Sequence, residues 1–303
     1  MRHAYLIMAH NEPEILQRLI HLLDCPENDI FVHIDKKSDI RQFALSKESC
    51  LNSRLFVLDK RIDARWGGFS LVECEMLLMQ TARDQGDYDY YHILSGVTLP
   101  IKNMRYIHDF FQNHQGRIFL GIDIGEFEKE ATRRIRYRNF FNDNHFSFLG
   151  NRTRQHLNGL SFRIQQLFHL EKHSSHPLKI GAQWCSLTDA AVELLLSSKD
   201  WIRKTFQYGS CVDEIYKQTV IWNSPLRDKI YKIGNSLEGC MYEIDWSRGN
   251  GRSPYTYATE SDIELLMKSD KLFARKFSSQ HMNVVDRLIE SIHREMMIAT
   301  NRR

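Results

Sequence analysis

The chain has 303 residues, of which 42% are hydrophobic and 26% are charged, a composition typical of a soluble globular protein. Its net charge of +3 is small against 41 basic and 38 acidic residues, so bulk charge gives no indication of nucleic-acid binding.

Six cysteines form neither a C-x-x-C pair nor a zinc-ligand spacing. The chain opens on the strand-like MRHAYLIMAH rather than on a signal peptide, and no run reaches the roughly 18 apolar residues of a membrane span. We therefore expect a cytoplasmic protein with reduced thiols. The basic segment 129-KEATRRIRYR-138 could touch phosphates or lipid headgroups at the inner membrane face, although a solvated helix face is the simpler interpretation.

Apolar strand-like runs and helical patterns alternate through the first half of the chain. We predict strands at 4–10, 29–35, 54–59, 88–96 and 117–123, and helices at 14–23, 70–84 and 104–114. This alternation predicts an α/β fold with a Rossmann-type sheet and ligands at the carboxyl ends of its strands.

The second half is more helical and less regular. The patterns predict helices at 152–170, 189–198 and 281–297, a further helix within 208–225, and strands at 179–188 and 240–246. The 152–170 helix has an amphipathic pattern. No repeat, low-complexity tract or linker divides the chain, so we predict a single domain over residues 1–303.

Polar residues follow the first two predicted strands. Asp35 comes directly after the second strand, and Ala9 and His10 end the first strand. A carboxylate at this edge can accept hydrogen bonds from a uracil or a ribose, but Asp35 could equally cap the turn before Lys36 and Lys37. Both interpretations stay open.

The pair Asp87 and Asp89 matches the D-x-D pattern that holds a metal in many sugar-nucleotide transferases. That motif must follow a strand, whereas here the apolar run YYHIL comes after the pair. We therefore interpret the two residues as turn charges at the wrong edge of the sheet and predict no metal site there. Asp123, which follows another predicted strand, belongs to no second D-x-D.

Two basic segments near the C-terminus offer cations for an anion. In 248-RGNGR-252 the glycines free the backbone for close approach, and Arg252 could grip a phosphate with its two-pronged guanidinium. Lys276 lies in 271-KLFARKF-277. Taken alone, a basic glycine loop is more often a surface turn.

Two adjacent carboxylates, Asp213 and Glu214, stand in 208-YGSCVDEIYKQTVIWNSP-225 at the start of a helical pattern. Acidic residues in a first helical turn interact favourably with the helix dipole, and on spacing alone this structural explanation is preferred. A catalytic base is the alternative.

Seven segments in chain order resemble the Core-2/I-branching β-1,6-N-acetylglucosaminyltransferases and the related peptide O-xylosyltransferases. They run from about residue 3 to residue 277, and they are MAHNEPEILQRLI, FVHIDKKS, ARWGGFSLVECEMLL, YYHILSGVTLPIKN, GAQWCSLTDAAVELLL, CVDEIYKQTVIWNSP and LFARKF. Each segment is short, but seven in the same order are specific.

The resemblance implies a GT-A-like fold, with a mixed sheet, that transfers a sugar from a UDP donor with inversion and without a metal. It implies that Glu214 is the base with Asp213 beside it, and that Ala9, His10 and Asp35 contact the uridine. Lys276 would hold the diphosphate with Arg252, whose match needs one inserted residue and for which Arg248 competes. Residues 1–125 would then form the nucleotide-binding half and residues 126–303 the acceptor and catalytic half.

The sequence also departs from the family. The animal members are Golgi proteins with an N-terminal membrane anchor, a stem and disulfides, so the resemblance here is to a bacterial, cytoplasmic relative. Thr98 and Leu99 stand where members often have an Asp before the Pro, and the acceptor-binding residues near 121–137 have no clear match.

We therefore predict a metal-independent transferase that moves N-acetylglucosamine from UDP to a glycan hydroxyl. The alternatives are a UDP-xylose-dependent enzyme and a non-catalytic carbohydrate-binding protein. The expected partners are the UDP-sugar donor and a glycan or lipid-linked glycan acceptor, with peripheral membrane contact and no nucleic acid.

Overall fold

The structure is a computed structural model that describes residues 1–143, 149–251 and 253–301. It contains a six-stranded sheet and a three-stranded sheet with helices packed around them. The predicted α/β architecture, a mixed sheet flanked by helices with a more helical C-terminal half, is confirmed. In the part of the chain that is described, no helix has the length and apolar character needed to span a bilayer.

The strands are short outside the centre of the main sheet. Those of the described residues are β1 (His3–Ala9), β2 (Asn28–Ile34), β3 (Arg54–Val57), β4 (Tyr90–Ser95), β5 (Thr98–Pro100), β6 (Phe119–Leu120), β7 (Cys185–Thr188), β8 (Tyr242–Ile244) and β9 (Phe273–Arg275).

Helices connect and cover these strands. The α-helices are α1 (Pro13–Leu23), α2 (Ser70–Gln85), α3 (Met104–Asn113), α4 (Glu126–Arg136), α5 (Asn151–Leu167), α6 (Asp189–Ser197), α7 (Lys199–Phe206), α8 (Tyr216–Trp222), α9 (Ser236–Cys240), α10 (Glu260–Lys268) and α11 (Met282–Asn301). Short 3₁₀ turns lie at Ile40–Phe43, Lys47–Ser49, Val212–Glu214, Pro225–Lys229 and Ser279–His281.

The main sheet has the order β3-β2-β1-β4-β7-β6. The first four strands are mutually parallel, and β7 runs antiparallel to both of its neighbours. β1 and β2 are buried almost throughout, as expected of central parallel strands that are covered on both faces. Because β7 comes from the second half of the chain and lies between β4 and β6, the two halves share one sheet.

The small sheet, in the order β5-β9-β8, was not predicted. β8 lies within the strand predicted at 240–246, whereas β5 and β9 have three residues each, too few for an alternating pattern to be recognised. The Phe277 amide donates to the Val97 carbonyl at 3.1 Å. This contact brings the residues that follow β9 to the carboxyl end of β4.

The backbone contact around Gly181 should make this glycine hard to replace. A Cβ at Gly181 would lie 1.9 Å from the carbonyl oxygen of Gly121, whereas a Cβ at Gly159 in α5 would meet nothing within 4 Å. We expect Gly181→Ala to lower the free energy of unfolding by about 1–3 kcal/mol through overpacking. The control Gly159→Ala should raise it by about 0.5–1 kcal/mol through helix propensity. Urea unfolding of both variants checks this, and equal effects would contradict it.

Candidate active site

The carboxyl ends of β1, β2 and β4 meet closely. The Asp35 amide donates to the Ala9 carbonyl at 2.8 Å, and the Ser38 hydroxyl donates to the His10 carbonyl at 2.6 Å. On the other side of β1, a Cβ at Gly96 would lie 2.7 Å from Ala9 Cβ. The structure therefore brings Ala9, His10 and Asp35 together at one edge of the sheet.

The Asp35 carboxylate is nearly buried and makes local hydrogen bonds. It accepts from the Lys37 amide at 2.8 Å, from Lys37 Nζ at 3.0 Å and from the Ala64 amide at 3.2 Å. The turn-capping interpretation of Asp35 is thus satisfied. Because Lys37 Nζ sits on a half-exposed side chain, a ligand could compete for that oxygen; uridine recognition stays a prediction.

Two cations lie at the end of β9 in the small sheet and reach the same edge, since Arg275 is the last residue of β9 and Lys276 follows it. Lys276 Nζ donates to the Ser253 hydroxyl at 2.7 Å. The neighbouring Arg275 lies with its guanidinium carbon 4.8 Å from the centre of the Trp184 ring, and its buried Nε has no hydrogen-bond partner in the described part of the chain. Burial lowers the pKa of Arg275 to about 10, and Tyr242 opposes the change.

The electrostatic environment of His10 shows that these groups are near one another. Burial is the main reason why its pKa is lowered, and the negative charge of Asp35 opposes that effect. The positive charges of Lys37, Arg275 and Lys276 each lower the pKa further. The predicted residues His10, Asp35 and Lys276 therefore lie within electrostatic reach of one another, and Arg275 joins them.

The predicted phosphate contact Arg252 lies outside the described residues. Its competitor Arg248 donates to both Asp245 and Asp262 and stacks 4.0 Å over the Tyr255 ring. The hydrogen bonds to the two carboxylates raise the pKa of Arg248. Arg248 is thus already neutralised and is a poor candidate for binding a phosphate.

Asp213 and Glu214 do not lie in the first turn of the following helix. Cys211 adopts a left-handed conformation with φ 48°, the pair forms the 3₁₀ turn Val212–Glu214, and α8 begins only at Tyr216. The dipole explanation, which assumed a first helical turn, is therefore weakened. The two side chains also differ, since Asp213 is 5% exposed and the Glu214 side chain is 37% exposed.

Asp213 has an environment that favours its protonated form. Burial, followed by the charges of Glu214 and Glu75, raises the pKa of Asp213 to about 7, and Lys217 opposes the change. Its Oδ1 has no hydrogen-bond partner among the described residues. A perturbed carboxyl beside a more exposed one is an arrangement found at catalytic sites, although ion-pair networks also produce it.

Glu214 makes an ion pair that sequence reasoning missed. Arg134 of α4 donates to Glu214 Oε2 at 2.5 Å and to Glu130 Oε1 at 2.9 Å. Burial alone would lower the pKa of Arg134, but the hydrogen bonds to Glu214 and Glu130 raise it. The prediction that segment 129–138 forms a solvated helix face holds for the exposed Arg133. It is wrong for Arg134, whose side chain points toward the protein interior.

A fully buried ion pair anchors the Asp213–Glu214 turn to α2. Lys217 Nζ of α8 donates to Glu75 Oε2 of α2 at 2.5 Å and to the Asp213 carbonyl at 2.9 Å. The Tyr216 hydroxyl and the Gln183 side chain also donate to Glu75, so both of its oxygens are satisfied. Burial and the charge of Glu75 raise the pKa of Tyr216 well above its usual range.

One loop joins the two groups of candidate residues. The Ala64 amide donates to Asp35, and three residues later the Gly67 carbonyl accepts from the Cys211 amide at 3.0 Å. Three extended residues span roughly 11 Å at most, so Asp35 and the acidic turn are close neighbours. Trp66 lies in this loop and is 86% exposed. Its sequence segment, ARWGGFS, carries no pattern that points to a role for Trp66.

Candidate metal ligands lie elsewhere. Asp89 is at the amino-terminal end of β4, where it accepts from the Arg2 amide at 2.7 Å, which confirms the predicted edge. Asp123 accepts from the amide and hydroxyl of Ser236. Among the described residues, the trio Cys25, Glu27 and His108 could approach a metal, but it lies by the amino-terminal end of β2, opposite the site.

Sequence comparison shows the family of the chain. A family model described as "Core-2/I-Branching enzyme" matches residues 3–269. The chain therefore belongs to the Core-2/I-branching enzyme family, which confirms the predicted resemblance; the match covers six of the seven segments and ends before LFARKF.

Curated relatives are xylosyltransferases. The chain is 24% identical to a xylosyltransferase of Ciona intestinalis over 95% of its own length and 34% of the relative's. It is 27% identical to xylosyltransferase oxt of Drosophila pseudoobscura pseudoobscura, over 86% of the chain and 30% of the relative. Human xylosyltransferase 1 shows 24% identity over 92% of the chain and 29% of the relative. The chain thus spans about a third of the length of the curated relatives it matches.

Comparison with solved structures gives weaker likenesses. Mouse xyloside xylosyltransferase 1 aligns with a TM-score of 0.38 and 12% identity, over 90% of this chain and 97% of that one. A putative glucose-1-phosphate thymidylyltransferase from Bacillus anthracis aligns with a TM-score of 0.24 and 14% identity, over 46% of this chain and 60% of that one. TM-scores this low do not establish a shared fold.

The raised pKa of Asp213 predicts a pH-dependent stability. Between its unfolded value of 3.8 and about 7, the folded protein retains a proton that the unfolded chain has lost, so stability falls as pH rises. Asp213→Asn removes this titration. Between pH 4 and 8 we expect the unfolding free energy of wild type to fall, compared with that of Asp213→Asn, by up to roughly 4 kcal/mol. Urea unfolding at several pH values checks this, and parallel curves would contradict it.

Proposed function

We propose that this chain is an inverting, metal-independent glycosyltransferase that moves N-acetylglucosamine from UDP to a hydroxyl of a glycan, with Glu214 as the base. One observation carries the proposal. Two cations, Arg275 and Lys276, meet His10 and Asp35 at the carboxyl edge of the sheet, and the loop through Gly67 brings the acidic turn beside them. Family membership supports the same chemistry.

Residues at the ends of β1 and β2 are suited to a nucleoside. The backbone of Ala9 and His10 and the carboxylate of Asp35 offer hydrogen-bonding groups to uracil and ribose, as ligands at this edge of an α/β sheet commonly require. We expect specificity for UDP to depend on these hydrogen bonds.

The diphosphate would be held by fixed cations. A buried guanidinium without a counter-ion is electrostatically costly, and an anion beside it removes that cost. Arg275 is in this position, since its Nε has no partner and no carboxylate pairs with it among the described residues. Lys276 is next to it, and Arg252 completes the proposed set. Preorganised positive charge can stabilise departing UDP in the way that a metal does elsewhere.

Exposure favours Glu214 over Asp213 as the base. An acceptor hydroxyl can reach the 37% exposed Glu214 side chain, whereas Asp213 is buried and holds a proton up to near neutral pH. Arg134 binds only Oε2 of Glu214, and Oε1 accepts from no donor in the described part of the chain. Arg134 would thus orient the carboxylate through Oε2 while Oε1 receives the proton.

The reaction balances with one carboxylate. The acceptor oxygen forms a bond to C1 of the sugar from the face opposite UDP, and the bond from C1 to the phosphate oxygen breaks. The electron pair leaves with UDP, and the hydroxyl proton passes to Glu214. UDP needs no protonation to leave, unlike the leaving group of a glycosidase, which explains why a second carboxylic acid is unnecessary. General-base catalysis of this kind contributes about 10²–10⁴-fold.

UDP-xylose is the second candidate donor. The seven segments resemble N-acetylglucosaminyltransferases and xylosyltransferases alike. The curated relatives of the chain carry the name xylosyltransferase, and this favours xylose, a pentose, as the donor sugar. The acceptor would be a glycan or a lipid-linked glycan. Trp66 offers an exposed aromatic face on the loop that contacts Cys211, where it could stack on an acceptor sugar.

Replacing the base should separate catalysis from binding. We expect Glu214→Gln to lower the transfer rate by at least about 100-fold while UDP affinity changes little, because the amide cannot accept the proton. Transfer from radiolabelled UDP-sugars and calorimetric UDP binding measure the two properties. The matched control is Glu73→Gln, whose carboxylate pairs with Arg203 on the surface of α2. Substantial transfer by Glu214→Gln would show that the base lies elsewhere.

Replacing the cations should weaken nucleotide binding. We expect Lys276→Met and Arg275→Gln each to cost about 1.5–3 kcal/mol of UDP affinity, the usual value of a charged hydrogen bond. The control is Lys268→Met, at the exposed end of α10. Calorimetry with a panel of UDP-sugars, run with and without EDTA, measures these affinities and identifies the donor. Loss of binding in EDTA would overturn the metal-free mechanism, and unchanged binding by both variants would overturn the clamp.

A further inference from the structure

Helix α5 presents an apolar stripe to solvent. The stripe consists of Leu160, Ile164, Leu167 and Phe168, whose exposed fractions are 57%, 45%, 73% and 65%. Their spacing of four, seven and eight residues places all four on one face of the helix. Single exposed apolar residues are common, but a contiguous stripe of large ones indicates an interaction surface.

The opposite face of α5 attaches the helix to the protein mainly through polar side chains, beside one ring contact between Phe162 and Tyr137. The Asn158 side chain accepts from the Phe141 amide at 3.1 Å. Seven residues further on, the buried Gln165 accepts from the Arg138 amide at 2.9 Å and donates to the Arg138 carbonyl at 3.0 Å. The predicted amphipathic helix is therefore inverted, since its amide side chains face the protein and its apolar stripe faces outward.

Basic residues flank the stripe. Between Asp143 and Glu171 the sequence contains no acidic residue. Arg152, His156 and Arg163 are exposed on α5, and neither arginine forms an ion pair with the described residues. On the helical wheel, these three side chains lie along one side of the stripe.

We propose that α5 lies flat on a membrane surface that contains anionic phospholipid. A helix with Leu and Phe on one face and arginines beside them is the pattern of an interfacial helix, in which apolar side chains enter the headgroup boundary and cations contact lipid phosphates. At 17 residues it offers a strip about 25 Å long. A second copy of the chain is a poorer occupant, because symmetric docking of two α5 stripes would bring the same arginines together.

This surface is connected to the acidic turn. Gln165 binds the backbone of Arg138, and the adjacent Asn139 amide donates to the Tyr208 carbonyl, five residues before Asp213. If the proposed transferase function holds, a membrane beneath α5 would place an acceptor carried on a lipid beside Glu214. The membrane contact itself can be tested without donor, acceptor or turnover.

The test is flotation of the full chain with vesicles of phosphatidylcholine alone and with 30% phosphatidylglycerol, about 0.3 mole fraction, in low salt. We expect the chain to bind the anionic vesicles and to bind the neutral vesicles only weakly. Binding to the anionic vesicles should fall as the salt concentration rises. Absence of binding to the anionic vesicles would overturn the proposal.

Two variants assign that binding to α5. Leu167→Gln with Phe168→Gln should weaken it by more than about tenfold, through lost apolar burial. Arg152→Gln with Arg163→Gln should weaken it by about 30-fold, since each cation near an anionic surface contributes about a factor of five. The controls are Leu51→Gln with Leu265→Gln, and Lys60→Gln with Arg105→Gln, which change exposed residues elsewhere.

Two outcomes would overturn the assignment to α5. One is vesicle binding that the α5 variants and their controls change equally, which would place the contact elsewhere. The other is a wild-type dimer in size-exclusion chromatography that the Leu167 and Phe168 changes dissociate, which would make a second copy the occupant. Transfer to a water-soluble acceptor should be unchanged in all of these variants, so loss of membrane binding is distinguishable from failure of the proposed activity.

Discussion

The buried ion pair between Glu75 and Lys217 fixes the candidate active site to the sheet. Both side chains are fully buried, and removing one partner of such a pair leaves an uncompensated charge that costs about 3–5 kcal/mol. Because Lys217 also donates to the Asp213 carbonyl, the acidic turn cannot move independently of α2. α2 in turn packs on the central strands whose ends carry the candidate nucleotide-binding residues.

Charge is divided across this site in a way that suits group transfer to a hydroxyl. Arg275 and Lys276 stand on one side with no carboxylate partner among the described residues, and the acidic turn stands on the other with Arg134. The Trp66 loop links Asp35, which lies within electrostatic reach of His10 and its neighbouring cations, to the acidic turn. The cations therefore lie where the proposed diphosphate would bind, and the Glu214 carboxylate stays accessible to the proposed acceptor hydroxyl.

The segment after α4 gives the molecule a second, different surface. Its inner residues contact the acidic turn through Arg134, and its continuation holds α5 by amide hydrogen bonds to Asn158 and Gln165. Amide contacts of this kind orient the helix while Leu160, Ile164, Leu167 and Phe168 are left to face solvent. The same stretch of chain thus links the side of the site where an acceptor would enter to the proposed membrane contact.

The sequence by itself determined the main elements of the large sheet, because continuous apolar runs such as β1 and β2 are typical of buried parallel strands. The positions of Asp35 after a strand and of Asp89 before one also determined that Asp35 lies at the carboxyl edge and Asp89 at the opposite edge. The sequence also determined the family, since seven ordered segments are specific. Only the tertiary structure decided what depends on distant contacts. These include the inward turn of Arg134, the position of Arg275 in the small sheet with no carboxylate partner among the residues described, and the outward apolar face of α5. Helical periodicity shows that a helix has two faces but not which one meets the protein.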